Sequence, residues 1–163
     1  MSAVGALDVA ILRAFRTRGH TPSRERAVAL FSRLGEQAMI WFAICGAGAL
    51  VDGDERPVYV RAAKTIAGVY AFNQALKLAV RRPRPKLEGL PPLAGTLSGL
   101  SYPSAHSATS FAAARLLSPA LPAAPLYALA VGLGLSRPYL GLHYPSDILA
   151  GAALGAALAE LAS

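Results

Sequence analysis

Three short stretches of this chain carry ionisable side chains that an otherwise apolar sequence should avoid. The first is KLAVRRPRP, residues 77–85, with Lys77, Arg81, Arg82 and Arg84, followed by Lys86. The second is Pro103-Ser104-Ala105-His106, and the third is SRPYLGLHYPSD, from Ser136 through Arg137 and His143 to Asp147. Cations gathered at one rim bind a phosphate dianion, each guanidinium fork gripping two oxygens. Ser104 stands at the start of an expected helix, so its hydroxyl and the adjacent backbone N–H groups can point at an anion. His143 and Asp147 are four residues apart, and Pro145 suits the first turn of a helix. A carboxylate so placed reaches one ring nitrogen of His143, fixes its tautomer and leaves the other nitrogen as a nucleophile. His106 is then free to protonate a departing alkoxide. Two histidines, three cations and an orienting acid make a complete phosphoryl-transfer site with no call for a metal or other cofactor. In such a site the cations do most of the charge stabilisation.

Composition sets the elements that must hold these residues. The chain has 163 residues, 54% apolar and only 15% charged, and its mean hydropathy is +0.42. That excludes a disordered chain and leaves room for one domain. The single cysteine, Cys45, excludes a disulfide scaffold. A net charge of +7, with 13 arginines among the 16 basic residues, points to lipid headgroups or a phosphorylated substrate. At 7% aromatic there is little on which bases could stack, so nucleic acid is not an expected partner.

Five apolar segments, 28–51, 57–80, 104–118, 121–137 and 145–162, predict an all-α polytopic bundle of about five membrane spans. The segment 104–118 is short for a free span and is expected inside the bundle. Gly151, Gly155 and Ala159 share one face of the last helix and permit close helix approach. Residues 1–20 predict an amphipathic helix with Val4, Leu7, Ile11 and Ala14 on its apolar stripe, lying on the membrane surface or packed on the bundle. Six arginines fall in 13–33, whereas 52–55 reads Asp-Gly-Asp-Glu. The positive-inside bias then puts the N-terminus in the cytoplasm and 52–55 outside. Counting spans from there, all three polar stretches reach the cytoplasmic face.

The pattern Lys77-x6-Arg84-Pro85, then Pro103-Ser104-Ala105-His106, then Ser136-Arg137-x5-His143-x3-Asp147 resembles the type 2 phosphatidic acid phosphatase superfamily. That family includes membrane lipid phosphatases and soluble vanadium haloperoxidases; the apolar spans fit the former. The likeness covers residues 77–147. It implies that Lys77, Arg84 and Arg137 bind the phosphate, with Ser104 and the Ala105 amide adding hydrogen bonds. It further implies that His143 forms a phosphohistidine, that Asp147 orients it, and that His106 is acid and then base. The family usually carries glycine where Ala105 stands, so an αR or β backbone is expected there. The short chain, the Pro103–His106 sequence and the Gly35-Glu36 pair ahead of Trp41 most resemble a small bacterial subgroup acting on decaprenylphosphoryl-5-phosphoribose in cell-wall arabinan synthesis. Undecaprenyl pyrophosphate, phosphatidylglycerophosphate and phosphatidic acid are the alternative substrates, and a catalytically silent lipid-binding scaffold is the alternative of another class.

Other polar residues have two readings each. Glu36 is either functional by virtue of its place in an apolar segment or a partner of Arg33 or Arg26. Asn73, one turn before Lys77, is expected to hydrogen-bond it. Tyr102, Tyr139 and Tyr144 form an interfacial belt or line the substrate groove. Arg81 and Arg82 hold no fixed position in the pattern and are expected at the lipid surface. His20 is expected to be solvated.

Overall fold

The computed structural model describes residues 3–162, which form seven α-helices and no strand. They are α1 (Ala3–Thr17), α2 (Pro22–Arg33), α3 (Met39–Val51), α4 (Arg56–Val80), α5 (Ala105–Leu117), α6 (Ala123–Tyr139) and α7 (Pro145–Leu161), with a 3-10 turn at Glu36–Ala38. Local chemistry marks their starts. The Thr21 hydroxyl accepts from Arg24 N ahead of Pro22, and the Asp147 carboxylate accepts from Tyr144 N at 2.8 Å ahead of Pro145. Such caps satisfy N–H groups that the first turn leaves unpaired.

Helix α5 is the axis of the bundle, packed by α4, α6 and α7. Ten of its 13 residues are buried, as the short 104–118 segment requires. The expected small-residue face of α7 lies on it. A Cβ on Gly155 would collide with the Ala108 carbonyl, and one on Gly151 with that of Ser104. Backbone contact of this kind admits no larger residue.

One sequence expectation changes. The segment 28–51 is not one helix but breaks after Arg33. Gln37 and Ala38 take left-handed backbone (φ 50° and 60°), and the halves Pro22–Arg33 and Glu36–Val51 meet at a bend of 49°. This bend lays α2 across the end of the bundle, against α6, where Ser32 becomes buried. Among the described residues no single helix is long and apolar enough to cross a membrane, although that bent pair meets the measure together.

Helix α1 shows both faces of its expected character. Leu7 and Ile11 are exposed, while Asp8, Leu12 and Arg16, one turn apart, are buried against the bundle. Val4 falls outside the described side chains. Arg16 Nη2 donates to the Pro91 carbonyl at 2.7 Å and Nη1 to that of Tyr139 at 3.3 Å. Leu7 and Ile11 of the apolar stripe therefore face outward, while Asp8 and Arg16, with Leu12 between them, face inward.

Candidate active site

The ends of α4, α6 and α2 and the starts of α5 and α7 meet with the loop 81–104 around a cavity of about 680 Å³. Lys77, Arg84, Arg137, His106, His143 and Ala105 all line it. Three stretches spread over residues 77–147 thus open on one space.

His143 sits in the turn between α6 and α7. Its Nδ1 lies 3.5 Å from Asp147 Oδ2, and the Arg84 Nη1 hydrogen points at its Nε2 from 3.1 Å. Nε2 therefore presents a lone pair and Nδ1 carries the hydrogen; Asp147 Oδ2 stands beside it without closing a hydrogen bond, and Nδ1 is buried with no hydrogen-bond partner among the described residues. Arg84 is held in that pose by the Leu142 carbonyl (2.7 Å) and the Ser98 carbonyl (2.8 Å). Burial, then the Arg84, Arg137 and Lys77 charges, hold the His143 imidazole well below its ordinary range. The ring is neutral, as a nucleophile must be.

Asp147 is fully buried. Its Oδ1 accepts from Arg82 Nη1 at 2.8 Å and its Oδ2 from Tyr144 N at 2.8 Å. Arg82 is thus bound to the orienting acid and not to the lipid surface expected for it. It lies 4.1 Å above the Tyr144 ring and also meets Asp8. Its neighbour Arg81 is exposed, spending its Nε hydrogen on the Leu78 carbonyl.

His106 is fixed from α2. Its Nε2 donates to the Ser32 carbonyl at 3.0 Å. Gly35 makes room for the ring, since a Cβ there would stand 2.7 Å from His106 Cδ2. The Ser32 hydroxyl serves the other side of the cavity, accepting from Arg137 Nη1 at 2.7 Å and from Ser136 Oγ at 2.9 Å. Arg137 keeps a buried Nε hydrogen with no partner. A buried cation with an unspent donor on a cavity wall suits an entering anion. Lys77 is likewise lightly held, by the Leu100 and Ser101 carbonyls at 3.4 and 3.3 Å.

Several residues lie elsewhere than expected. Ser104 is buried and caps α5, its hydroxyl accepting from Ser107 N (3.4 Å); it does not line the cavity, so the Ala105 end of α5 is what faces it. Ala105 is helical, with no positive φ. Asn73 does not reach Lys77 and instead donates to the Pro103 carbonyl at 3.4 Å. Glu36 lines the cavity and pairs with neither Arg33 nor Arg26 among the described residues. Tyr102, Tyr139 and Tyr144 are absent from the wall; Tyr70, Gln37, Gln74 and Thr109, not singled out by sequence, belong to its uncharged polar part with Ser32, Thr96 and Ser98. His20 is not solvated: it stacks on Tyr139 at 4.1 Å and bonds Glu25 and the Phe15 carbonyl. Among the described residues no three His, Cys, Asp or Glu side chains converge as a metal ion would require.

A helical bundle that opens two histidines and three cations on one cavity defines the class of a phosphohydrolase, and comparison with known proteins agrees. Residues 58–163 match the PAP2 superfamily, and the chain belongs to it. Over 148 residues the chain is 35% identical to the decaprenylphosphoryl-5-phosphoribose phosphatase of Mycolicibacterium smegmatis, covering 90% of this chain and 79% of that one. It is 41% identical over 90 residues to the lipid A 1-phosphatase of Rhizobium johnstonii, but that match covers 50% of this chain and 36% of the other. The crystal structure of a transmembrane PAP2 type phosphatidylglycerolphosphate phosphatase from Bacillus subtilis superimposes with a TM-score of 0.80 at 27% identity, covering 99% of this chain and 85% of that one. The protein is a phosphomonoester hydrolase of the membrane lipid phosphatase type, all-helical like its structural neighbour.

Proposed function

We propose that this protein hydrolyses decaprenylphosphoryl-5-phosphoribose to decaprenylphosphoryl ribose through a phosphohistidine. The observation that carries the reading is the composition of the cavity wall. Lys77, Arg84 and Arg137, with Arg33 at the rim, offer a cationic wall beside the hydroxyl and amide groups of Tyr70, Gln37 and Gln74. A hydroxylated sugar next to a phosphomonoester uses both kinds of wall, whereas phosphatidic acid, with no headgroup hydroxyl, uses only the first. The relative from Mycolicibacterium smegmatis, similar over nine-tenths of the chain, supports the same substrate.

In the first step His143 Nε2 attacks phosphorus in line with the ribose C5 oxygen, whose bond to phosphorus breaks. Arg84, which rests on that lone pair, shifts its donors to the phosphate oxygens, and the Arg137 Nε hydrogen finds its acceptor there. His106 becomes an imidazolium only with the phosphate bound beside it, taking up the proton that the substrate's monoanion carries in. Its Nε2 hydrogen stays on the Ser32 carbonyl and orients the ring, and the Nδ1 proton passes to the leaving alkoxide. In the second step Nδ1 takes a proton from water, the resulting hydroxide attacks phosphorus, and the N–P bond breaks to release inorganic phosphate. Asp147 stabilises the positive charge that His143 carries in the intermediate.

We infer further that α3 to α7 make the five membrane crossings, α5 shielded at the centre, and that the site opens on the cytoplasmic face of a bacterial plasma membrane. The test of substrate is phosphate release in detergent with EDTA from four lipids: decaprenylphosphoryl-5-phosphoribose, undecaprenyl pyrophosphate, phosphatidylglycerophosphate and phosphatidic acid. The phosphoribosyl lipid is expected to be preferred and His143→Ala to release nothing. Preference for any other lipid overturns the headgroup assignment, and full activity in His143→Ala overturns the nucleophile.

A further inference from the structure

We propose that Asp8 and Arg82 form a clamp that positions Asp147, and through it the His143 nucleophile, so that the N-terminal helix is a working part of the active site. The inference rests on the reading of His143 as nucleophile. It does not depend on the headgroup.

The clamp is one guanidinium spread across two carboxylates. Arg82 Nη1 meets Asp147 Oδ1 and Nη2 meets Asp8 Oδ2, both at 2.8 Å. Ser146 closes the ring: its N–H donates to Asp8 Oδ1 at 2.9 Å, its hydroxyl to Asp8 Oδ2, and Arg82 Nη1 reaches that hydroxyl at 2.7 Å. The Tyr144 ring beneath the guanidinium fixes its plane. Burial works against charge on Asp8, but the bonds from Arg82 and Ser146 outweigh it and hold its carboxyl below the usual carboxylate range. Asp8 and Arg82 thus meet as an ion pair.

Two physical needs explain the arrangement. The first is direction. Asp147 is fully buried with its Oδ2 turned toward His143 Nδ1 at 3.5 Å, and a carboxylate bound at only one oxygen would swing about its Cβ–Cγ bond. Arg82 on Oδ1 and Tyr144 N on Oδ2 leave one orientation. The second is charge. Lys77, Arg84 and Arg137 line the cavity and are committed to the phosphate, so the buried Asp147 needs a cation of its own. Arg82 supplies it. Asp8 cancels that added charge, so the Asp8–Arg82–Asp147 group keeps the single negative charge that stabilises the imidazolium.

Neither clamp residue lines the cavity, which makes them positioning residues. Asp8 also lies outside the matched family region, 58–163, and Arg82 falls among the six free positions between Lys77 and Arg84.

The full-length chain in detergent, assayed on whichever lipid phosphate it turns over fastest, decides the matter. Asp8→Asn keeps the shape and removes the charge; Arg82→Gln removes the bridge; Ser146→Ala is a milder third variant. In Asp8→Asn and Arg82→Gln kcat is expected to fall about 10- to 100-fold, the size typical of residues that orient a reacting group. In Ser146→Ala it is expected to fall less. In all three KM and the inhibition constant of inorganic phosphate are expected to stay within about 2-fold, because the phosphate cations are untouched. The double variant Asp8→Asn/Arg82→Gln is expected to be no slower than Arg82→Gln alone. Unchanged kcat, multiplying losses in the double variant, or weakened phosphate binding in all three would each overturn the clamp. His143→Ala in the same series separates the two failures. If it is active, the nucleophile reading falls; if it is inactive beside undiminished clamp variants, the clamp alone falls.

Discussion

Arg84 Nη1 stands 3.1 Å from His143 Nε2, so the residue expected to bind phosphate rests on the atom expected to attack it. The phosphate must draw the guanidinium away before the lone pair is free, which couples binding to activation of the nucleophile. Arg84→Gln removes a charge-assisted contact worth roughly 1.5–3 kcal/mol, so kcat/KM is expected to drop about 10- to 100-fold. Arg84→Lys restores little, since an ammonium cannot hold Leu142 O, Ser98 O and phosphate in one plane. Steady-state kinetics of the two variants check this, and a lysine variant at full efficiency would refute it.

The same pair sets a pH dependence. His143 is held below its ordinary range by burial first and the neighbouring cations second. A group with a lowered value loses its proton earlier as pH rises, so the nucleophile is already neutral at pH 6.5 and contributes no loss of rate near there. In Arg84→Gln one of the cations is gone and the value rises toward ordinary. The acid limb of kcat/KM is then expected to move to higher pH. A limb that stays in place, or moves down, contradicts this electrostatic account.

Phosphoenzyme chemistry separates the two histidines. His106→Ala is expected to accumulate acid-labile, alkali-stable phosphate on the protein when given an aryl phosphate, whose leaving group needs no proton. The base for the second step is then missing. His143→Ala is expected to incorporate none. Labelling from phosphorus-32 substrate followed by acid and alkali treatment reads both outcomes, and label in His143→Ala would move the nucleophile elsewhere.

The motif residues were legible because their chemistry is local. The four-residue His143–Asp147 spacing brings Asp147 Oδ2 to 3.5 Å from His143 Nδ1 across the start of α7, and Lys77, Arg84 and Arg137 are charges in an apolar chain. What holds them was not legible. Ser32 meets His106 and Arg137 across 74 and 105 residues of sequence, and nothing in the run Phe31-Ser32-Arg33 marks it. Asp8 reads as the polar side of a surface helix until α1 is docked and that side turns inward. The break falls where Arg33, Gly35, Glu36 and Gln37 interrupt the apolar run, a signal that an apolar count averaged over 28–51 smooths away. In the structure it shows in the left-handed backbone at Gln37 and Ala38. Asn73 was misassigned because a one-turn spacing to Lys77 suggested a bond, whereas the Pro103 carbonyl crosses nearer to its amide.

Helix α2 yields its own prediction. Gly35→Ala puts a Cβ 2.7 Å from His106 Cδ2, and the ring must turn off the Ser32 carbonyl to admit it. Loss of general-acid work costs about 10²-fold or more, so kcat is expected to fall strongly with KM little changed. Ser32→Ala acts on the other wall. It leaves the buried Arg137 guanidinium without the hydroxyl at 2.7 Å and is expected to raise KM about 5- to 150-fold, the equivalent of about 1–3 kcal/mol. Opposite behaviour, with Gly35→Ala raising KM and Ser32→Ala lowering kcat alone, would reverse the assignment of these two contacts.

Orientation in the membrane follows from charge at the two ends of the bundle. The turn 52–55 joins α3 to α4 at the end away from the cavity and carries Asp52, Asp54 and Glu55. The arginines of 13–33 gather at the cavity end, beside α1 and α2. Cytoplasmic loops hold the positive excess, so Gly53 is expected outside and Thr17 inside. Both are exposed, a side chain at Gly53 meets nothing within 4 Å, and the natural Cys45 is buried. A membrane-impermeant maleimide is therefore expected to label Gly53→Cys in intact cells, and Thr17→Cys only after permeabilisation. That result puts the phosphate site on the side where a lipid made from a cytosolic sugar phosphate is delivered. The reverse labelling would put the same residues outside, where a carrier pyrophosphate and not a phosphoribosyl lipid awaits hydrolysis.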